Sequence, residues 1–178
     1  MKEIRLHGRG GQGAVTAASI LAVAGFADGK FTQAFPSFGV ERRGAPVTAF
    51  VRIDDKFIRR REQVYNPDML MVLDASLFKV EDIAKGAKKG AMIIINTGGK
   101  PEDYKLPGFD VKCIDATKEA FAILGRDIVN TAMLGAFSAY TDLVSKSAIH
   151  DAIKEQFSGE LAIKNIKLVD QVYEKAKN

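Results

Sequence analysis

The stretch that most constrains this chain is IRLHGRGGQGAVTAASILAVAG, residues 4–25. A short apolar run enters a knot of glycines and leaves as an alanine-rich segment. Glycine adopts positive φ without steric penalty and lets other groups approach the backbone, so the knot marks a tight strand-to-helix turn. The helix is expected from Ala14 to about Phe26, with Gly25 and Gly29 as end signals. Ala17, Ala18, Ser19, Ala22 and Ala24 leave little side chain on any of its faces. Such a helix can lie close against a sheet or a second polypeptide.

Further along, β-rich runs alternate with helical patterns, the signature of βαβ units and a mainly parallel sheet. MLMVLD (69–74) and GAMIIIN (90–96) are continuous apolar runs, as central strands covered on both faces require. Both end in polar residues, Asp74 and Asn96, where the carboxyl edge of a parallel sheet forms its usual ligand crevice. KFTQAF and DVKCID are weaker strands. Val47, Ala49, Val51 and Ile53 alternate with Thr48, Phe50 and Arg52. DDK then turns toward Phe57 and Ile58, so an antiparallel hairpin is expected here. TGGKPEDYKLPG is expected as a surface loop. After Arg126 the pattern turns helical, through Met133, Phe137, Tyr140 and Val144. The last helix carries Ala162, Ile166, Val169, Tyr173 and Ala176 on one face and charged residues on the other. The expected fold is therefore α/β: a single domain over 1–178, a mainly parallel sheet flanked by helices, an antiparallel hairpin addition and a C-terminal helix.

Composition narrows the function classes. With 47% apolar and 27% charged residues in 178, the chain is a globular protein with length enough for a real core. It has no bilayer-length apolar run and no signal-peptide core at MKEIRLHGRG, so no membrane partner and a cytoplasmic location are expected. The net charge of +4 and the short RRR run at 59–61, without interleaved aromatics, do not make a nucleic-acid surface. The single cysteine, Cys113, forms no internal disulfide and cannot hold an iron–sulfur cluster, which takes four thiolates. The two histidines, His7 and His150, lack metal-ligand spacing. Any redox metal is expected on another chain, and no metal site or catalytic residue is expected on this one.

Gly8, Gly10 and Gly13 match the G-x-G-x-x-G of dinucleotide sites, after a strand and at a helix start. A phosphate there would meet free N–H groups and the positive end of the helix, with Arg9 as a fixed cation. The acid that should end the second strand is missing, since that strand ends TQAFPSFG and Asp28 comes too early. A P-loop would need Lys after the last glycine, and Ala14 stands there. An anion site and a close-packed turn both remain open for Arg9, Gly10, Gly11, Gln12 and Gly13. A second glycine-framed loop, SFGVERRGAP, holds Glu41, Arg42 and Arg43 before Gly44. Its arginines suit bidentate contact with carboxylate or phosphate, or an exposed turn with mutual ion pairs. Asn130, ahead of an apolar helix, is an N-cap candidate that could face the crevice. One alternative on these residues is a stand-alone Rossmann-type nucleotide-binding oxidoreductase.

GRGGQG (8–13), SFGVERRGAPVTAFVRI (37–53), PDMLMVLD (67–74) and NTAMLGAF (130–137) occur in an order and spacing that resemble the gamma subunits of 2-oxoacid:ferredoxin oxidoreductases, the pyruvate synthase group. The resemblance covers nearly the whole chain. It implies a multisubunit enzyme that oxidatively decarboxylates a 2-oxoacid, pyruvate by default, to an acyl-coenzyme A and passes electrons to ferredoxin. Thiamine diphosphate with a divalent metal, and the iron–sulfur clusters, would sit on alpha, beta and ferredoxin-like partners. This chain would be structural and would help bind coenzyme A. The resemblance places the family's glycine turn on Gly10, Gly11, Gln12 and Gly13, and its charged loop on Glu41, Arg43 and Gly44. Phe38 stands where the family often has Tyr, and Ala45 where it has a second Gly.

Overall fold

The computed structural model describes residues 1–37 and 43–178. Phe38, Glu41 and Arg42 lie outside the described residues. The element order is β1 (Lys2–Arg9), α1 (Ala14–Ala27), β2 (Phe31–Pro36), β3 (Pro46–Asp54), β4 (Met69–Val72), β5 (Met92–Asn96), β6 (Asp110–Ile114), α2 (Ala116–Leu124), α3 (Asn130–Thr141), α4 (Lys146–Gln156) and α5 (Gly159–Lys177). Short 3-10 turns at Ala75–Lys79 and Pro101–Tyr104 follow β4 and β5.

The strands form one six-stranded sheet in the order β2-β3-β1-β4-β5-β6. β1, β4, β5 and β6 run parallel, whereas β3 runs antiparallel to both its neighbours. Strand alternation assigns the two faces. Ile4, Leu6, Ala49, Val51, Met71 and Ile94 point to the face where the α-helices gather. Leu70, Val72, Ile93 and Ile95 point to the other, which is covered by Leu77, Ile83, Tyr104 and Leu106 from the 3-10 turns and loops. The three consecutive isoleucines of β5 are fully buried because both faces are covered at that strand.

The helices owe their positions to small residues. α1 has no charged residue along its length, and Thr32 of β2 donates its hydroxyl to the Ala22 carbonyl at 2.9 Å, fixing helix to strand. α3 is buried continuously from Asn130 to Ala139. Gly135 lets it meet α5 closely: a Cβ there would lie 2.5 Å from the Val169 carbonyl oxygen. Among the described residues no helix is long and apolar enough to cross a membrane.

Three local expectations shift. The hairpin is made by β2 and β3, and among the described residues the DDK turn leads to no strand. α2 was not expected, because nine residues carry too few turns for a clear apolar stripe. On α5 the fully buried positions are Ala162, Asn165, Leu168, Val169 and Val172, while Ile166, Tyr173 and Ala176 are partly buried. Asn165 is polar and turns inward because the Thr131 hydroxyl donates to its Oδ1 at 2.7 Å and its own Nδ2 donates to the Leu161 carbonyl at 2.8 Å.

Candidate functional site

β1 delivers the glycine turn to the carboxyl edge of the sheet, beside the ends of β4 and of the antiparallel β3. The β1/β3 ladder continues past both strands. The Gly10 N–H donates to the Ala45 carbonyl at 2.8 Å, and the Gly44 N–H to the Gly10 carbonyl at 3.1 Å. The two glycine-bearing loops expected to act together are therefore hydrogen-bonded to each other.

Gln12 closes the turn. Its N–H donates to the Arg9 carbonyl at 2.9 Å, and its Oε1 accepts the Arg9 N–H at 2.7 Å. Its Nε2 reaches Asp74, just past β4, at 3.0 Å. Asp74 also accepts from Arg9 Nε at 3.0 Å and from the Ser76 N–H at 2.9 Å. Burial pushes this carboxyl up, but hydrogen bonds from Ser76 and Gln12 and the charge of Arg9 outweigh it, so it titrates below its ordinary range. Arg9 completes the clamp through Nη2 to the Ser76 hydroxyl at 2.8 Å and Nη1 to the Gly44 carbonyl at 3.0 Å. All three guanidinium nitrogens are engaged, so Arg9 braces the turn rather than standing as a free cation.

Gly11 and Gly13 have φ of +97° and +79°, the left-handed region that side chains resist. Gly13 is the N-cap of α1, with no side-chain cap and no acid in the first turn. The first intrahelical bond runs from the Ala17 N–H to the Gly13 carbonyl at 2.9 Å. The N–H groups of Ala14, Val15 and Thr16 therefore have no partner within the helix, and no acid in its own first turn offsets its positive end.

Asn130 is the first residue of α3, not its N-cap; Val129 holds that place. Its Oδ1 accepts the Thr131 N–H at 2.9 Å, and its Nδ2 lies against Gly13. A Cβ on Gly13 would sit 2.6 Å from that nitrogen, so the turn needs glycine for space as well as for φ. Asn96 stitches the sheet edge to α2, donating to the Leu73 carbonyl and the Thr117 hydroxyl, both at 2.9 Å.

Two clefts flank the turn. The first, about 630 Å³, lies toward the β2–β3 loop and is lined by Gly11, Val15, Val47, Arg9 and Arg43. Arg43 is exposed and has no partner among the described residues. The second, about 660 Å³, lies toward α2, α3 and the start of α5, and includes Thr16, Arg126, Asn130 and Lys164. Sequence reasoning missed Asp74 as the clamp, Arg126 and Lys164. A basic residue following the C-cap Gly125 was the only local signal for Arg126. Cys113 is half-buried, and burial, with the Asp103 and Glu102 charges, pushes its thiol up to about 11, away from nucleophilic use.

A dinucleotide reading also fails on topology. That motif needs a second parallel strand beside the first, with an acid at its end. Here the strand that follows α1 is β2, which lies on the sheet edge with antiparallel β3 between it and β1 and ends at Pro36 without an acid; the parallel neighbour of β1 is β4, which is reached only after β3.

The family model for pyruvate ferredoxin/flavodoxin oxidoreductase matches residues 3–175. The chain is 53% identical over 180 residues to the pyruvate/ketoisovalerate oxidoreductases common subunit gamma of Thermococcus kodakarensis, covering 98% of this chain and 97% of that one. It is 54% identical over 178 residues to the pyruvate synthase subunit PorC of Methanothermobacter marburgensis, covering 100% and 99%. The crystal structure of pyruvate oxidoreductase subunit PORC from Thermotoga maritima superposes with a TM-score of 0.85 at 38% identity, covering 97% of this chain and 95% of that one. A 2-oxoglutarate:ferredoxin oxidoreductase from Magnetococcus marinus shares the fold over 99% of this chain and 31% of its own length, with a TM-score of 0.83 at 20% identity.

Proposed function

The chain belongs to the pyruvate ferredoxin/flavodoxin oxidoreductase family, and from that premise we propose that it works as the gamma subunit of a 2-oxoacid:ferredoxin oxidoreductase, pyruvate being the default oxoacid. The observation that carries this reading is the identity above 50% over essentially the full length of named gamma and PorC subunits. Such a subunit works within an assembly. The partners proposed are alpha, beta and ferredoxin-like chains, with ferredoxin as the acceptor and the cytoplasm as the location. Thiamine diphosphate and the iron–sulfur clusters belong on those partners, since one cysteine cannot ligate a cluster.

Within the assembly the chain has two tasks in this reading. One is to present an anion-binding corner to coenzyme A. The N–H groups about Gly11–Gly13 and the guanidinium of Arg43 face the first cleft, while Arg9, Gln12 and Asp74 hold the turn in shape. A phosphate there meets donors already fixed in place, which is how helix starts bind anions. The other task is to pack. Val15, Val23 and Phe26 stand out from a helix without charges, and Phe26 is 71% exposed. A stripe of this kind suits burial against another subunit.

The test of the first task is the Michaelis constant for coenzyme A in the reconstituted complex. Arg43→Ala is expected to raise it about tenfold, the weight of one charge-assisted contact, with assembly intact. An unchanged constant would remove coenzyme A from this cleft and leave the packing role.

A further inference from the structure

We infer that the cleft around His7 and Glu81, on the loop-covered face of the sheet, is a binding site for an uncharged polyhydroxylated small molecule, a sugar or a cyclic polyol. It shares no residue with the clefts at the glycine turn. The inference rests neither on the coenzyme A reading nor on the gamma-subunit reading.

The first argument is an unsatisfied atom. Ile4 and Leu6 point toward the helices, so strand alternation turns Arg5 and His7 to the opposite face, where both line this cleft. His7 is 6% exposed. Arg5 Nε donates to His7 Nε2 at 2.9 Å, and a guanidinium can only donate. Nε2 therefore supplies the lone pair. Burial and the Arg5 charge keep the ring neutral, so its one proton stands on Nδ1. Among the described residues, Nδ1 of His7 is the one buried side-chain polar atom without a hydrogen-bond partner. The Glu81 carboxylate stands 3.6 Å from it, beyond hydrogen-bond distance.

A buried donor beside a carboxylate defines the group that would satisfy both. An alcohol hydroxyl accepts from Nδ1–H and donates to Glu81. The Glu81 side chain is partly exposed, so it can turn to meet an entering hydroxyl. An ammonium has no lone pair for Nδ1–H, and an anion would face Glu81 and Asp82. A metal ion on Nδ1 would force the proton onto Nε2, against the Arg5 donor. Over the whole lining, Arg5 and Lys85 balance Glu81 and Asp82, so the cleft selects no net charge.

The other walls suit the rest of such a molecule. Ser37, Thr48 and Gln63 bring neutral polar groups, and Phe50 and Tyr65 bring aromatic rings. Neutral hydrogen-bonding groups with aromatic surface match a ring that carries both hydroxyls and C–H groups. A cleft of about 690 Å³ has room for it. The frame is fixed in advance. Arg5 Nη2 donates to the Ile83 and Lys85 carbonyls at 2.8 and 2.9 Å, and Asn66 Nδ2 to the Gly86 carbonyl at 2.9 Å. A Cβ on Gly86 would lie 2.5 Å from the Tyr65 carbonyl oxygen, so the two loops that wall the cleft meet at a glycine.

The experiment is an imidazole nitrogen–proton NMR titration of the full chain with glucose and myo-inositol, and with sodium acetate and ammonium chloride as charged controls. A saturable shift of the His7 Nδ1–H resonance is expected with at least one polyol and with neither salt. Glu81→Gln, which removes a charged acceptor at a partly exposed position, is expected to weaken that binding about tenfold. Tyr65→Ala, at a side chain 67% exposed, is expected to weaken it as well, and Arg43→Ala to leave it unchanged. A shift that rises linearly without saturating, a shift that the salts reproduce, or an affinity indifferent to Glu81→Gln would each overturn the inference. So would an Nδ1 proton that no polyol moves and that Glu81→Gln alone displaces, since Glu81 would then be its partner in solution.

Discussion

The glycine turn makes a quantitative prediction, because Gly11 and Gly13 share a left-handed backbone but not an environment. A Cβ on Gly11 would meet nothing within 4 Å among the described residues, whereas one on Gly13 would lie 2.6 Å from Asn130 Nδ2. Gly11→Ala should then lose only the conformational term, roughly 1–2 kcal/mol for an L-residue held left-handed. Gly13→Ala loses the same amount and must also displace a buried, hydrogen-bonded side chain. Overpacking of that kind adds about 1–3 kcal/mol, for a total of roughly 2–5 kcal/mol. The second component can be isolated. Asn130→Ala removes the clashing amide and keeps a Cβ at an ordinary 3.4 Å from the added methyl. In the Gly13→Ala/Asn130→Ala double variant the total loss should fall short of the sum of the singles by roughly 1–3 kcal/mol. In the Gly11→Ala background the same Asn130 change should add without coupling. Urea unfolding of the full chain, followed by far-ultraviolet circular dichroism, gives the four stabilities of each cycle. Equal losses for Gly11→Ala and Gly13→Ala, or a Gly13/Asn130 cycle additive to within about 0.5 kcal/mol, would refute the packing argument.

Two more predictions concern distant parts of the molecule. His7 is buried, and its Nε2 accepts from Arg5 Nε at 2.9 Å. Burial first, and the Arg5 charge second, push its imidazole from the ordinary 6.5 down to about 3. Between those values the unfolded chain binds a proton that the folded chain refuses, so stability must fall as pH drops through that window. His7→Gln should flatten the fall in melting temperature from pH 6.5 toward 3, and an unchanged slope would contradict the assignment. Phe26, with 71% of its surface exposed on a charge-free helix, should matter to assembly and not to folding. Phe26→Asp is expected to weaken co-purification with the partner subunits at least about tenfold while the melting temperature of the full chain stays put, and undiminished capture would exclude α1 as the interface.

The fold was legible wherever one short segment carried its own signal. The apolar runs at 69–74 and 90–96 announced buried parallel strands, and the alanine-rich run at 14–27 announced its helix to within a residue. What escaped was partnership. Alternation at 47–53 reveals a strand but not its neighbours, and β3 pairs with β1 and β2 where a local turn had pointed to residues 57–58. A strand's partner is fixed by the whole sheet closing over the core, which no window contains. On α5, Asn165 faces inward with its hydrogen bonds satisfied, and one buried polar residue is enough to rotate an apparent apolar stripe.

The site divided in the same way. That two glycine-bearing loops belong at one corner could be argued from sequence, and the Gly10–Ala45 and Gly44–Gly10 bonds join them. The role of Arg9 could not, because its chief partner, Asp74, is 65 residues away in sequence. Once Asp74, Ser76 and Gly44 take its three nitrogens, the guanidinium cannot turn to a ligand without breaking the clamp that shapes the turn. Its charge still contributes to the field at α1, but contact with an anion passes to Arg43, which has no such ties among the described residues. A rigid turn beside such an arginine keeps its donors in place before any anion arrives. The ordering entropy is then met during folding rather than at binding, and affinity at the first cleft is decided by a side chain whose removal leaves the fold intact.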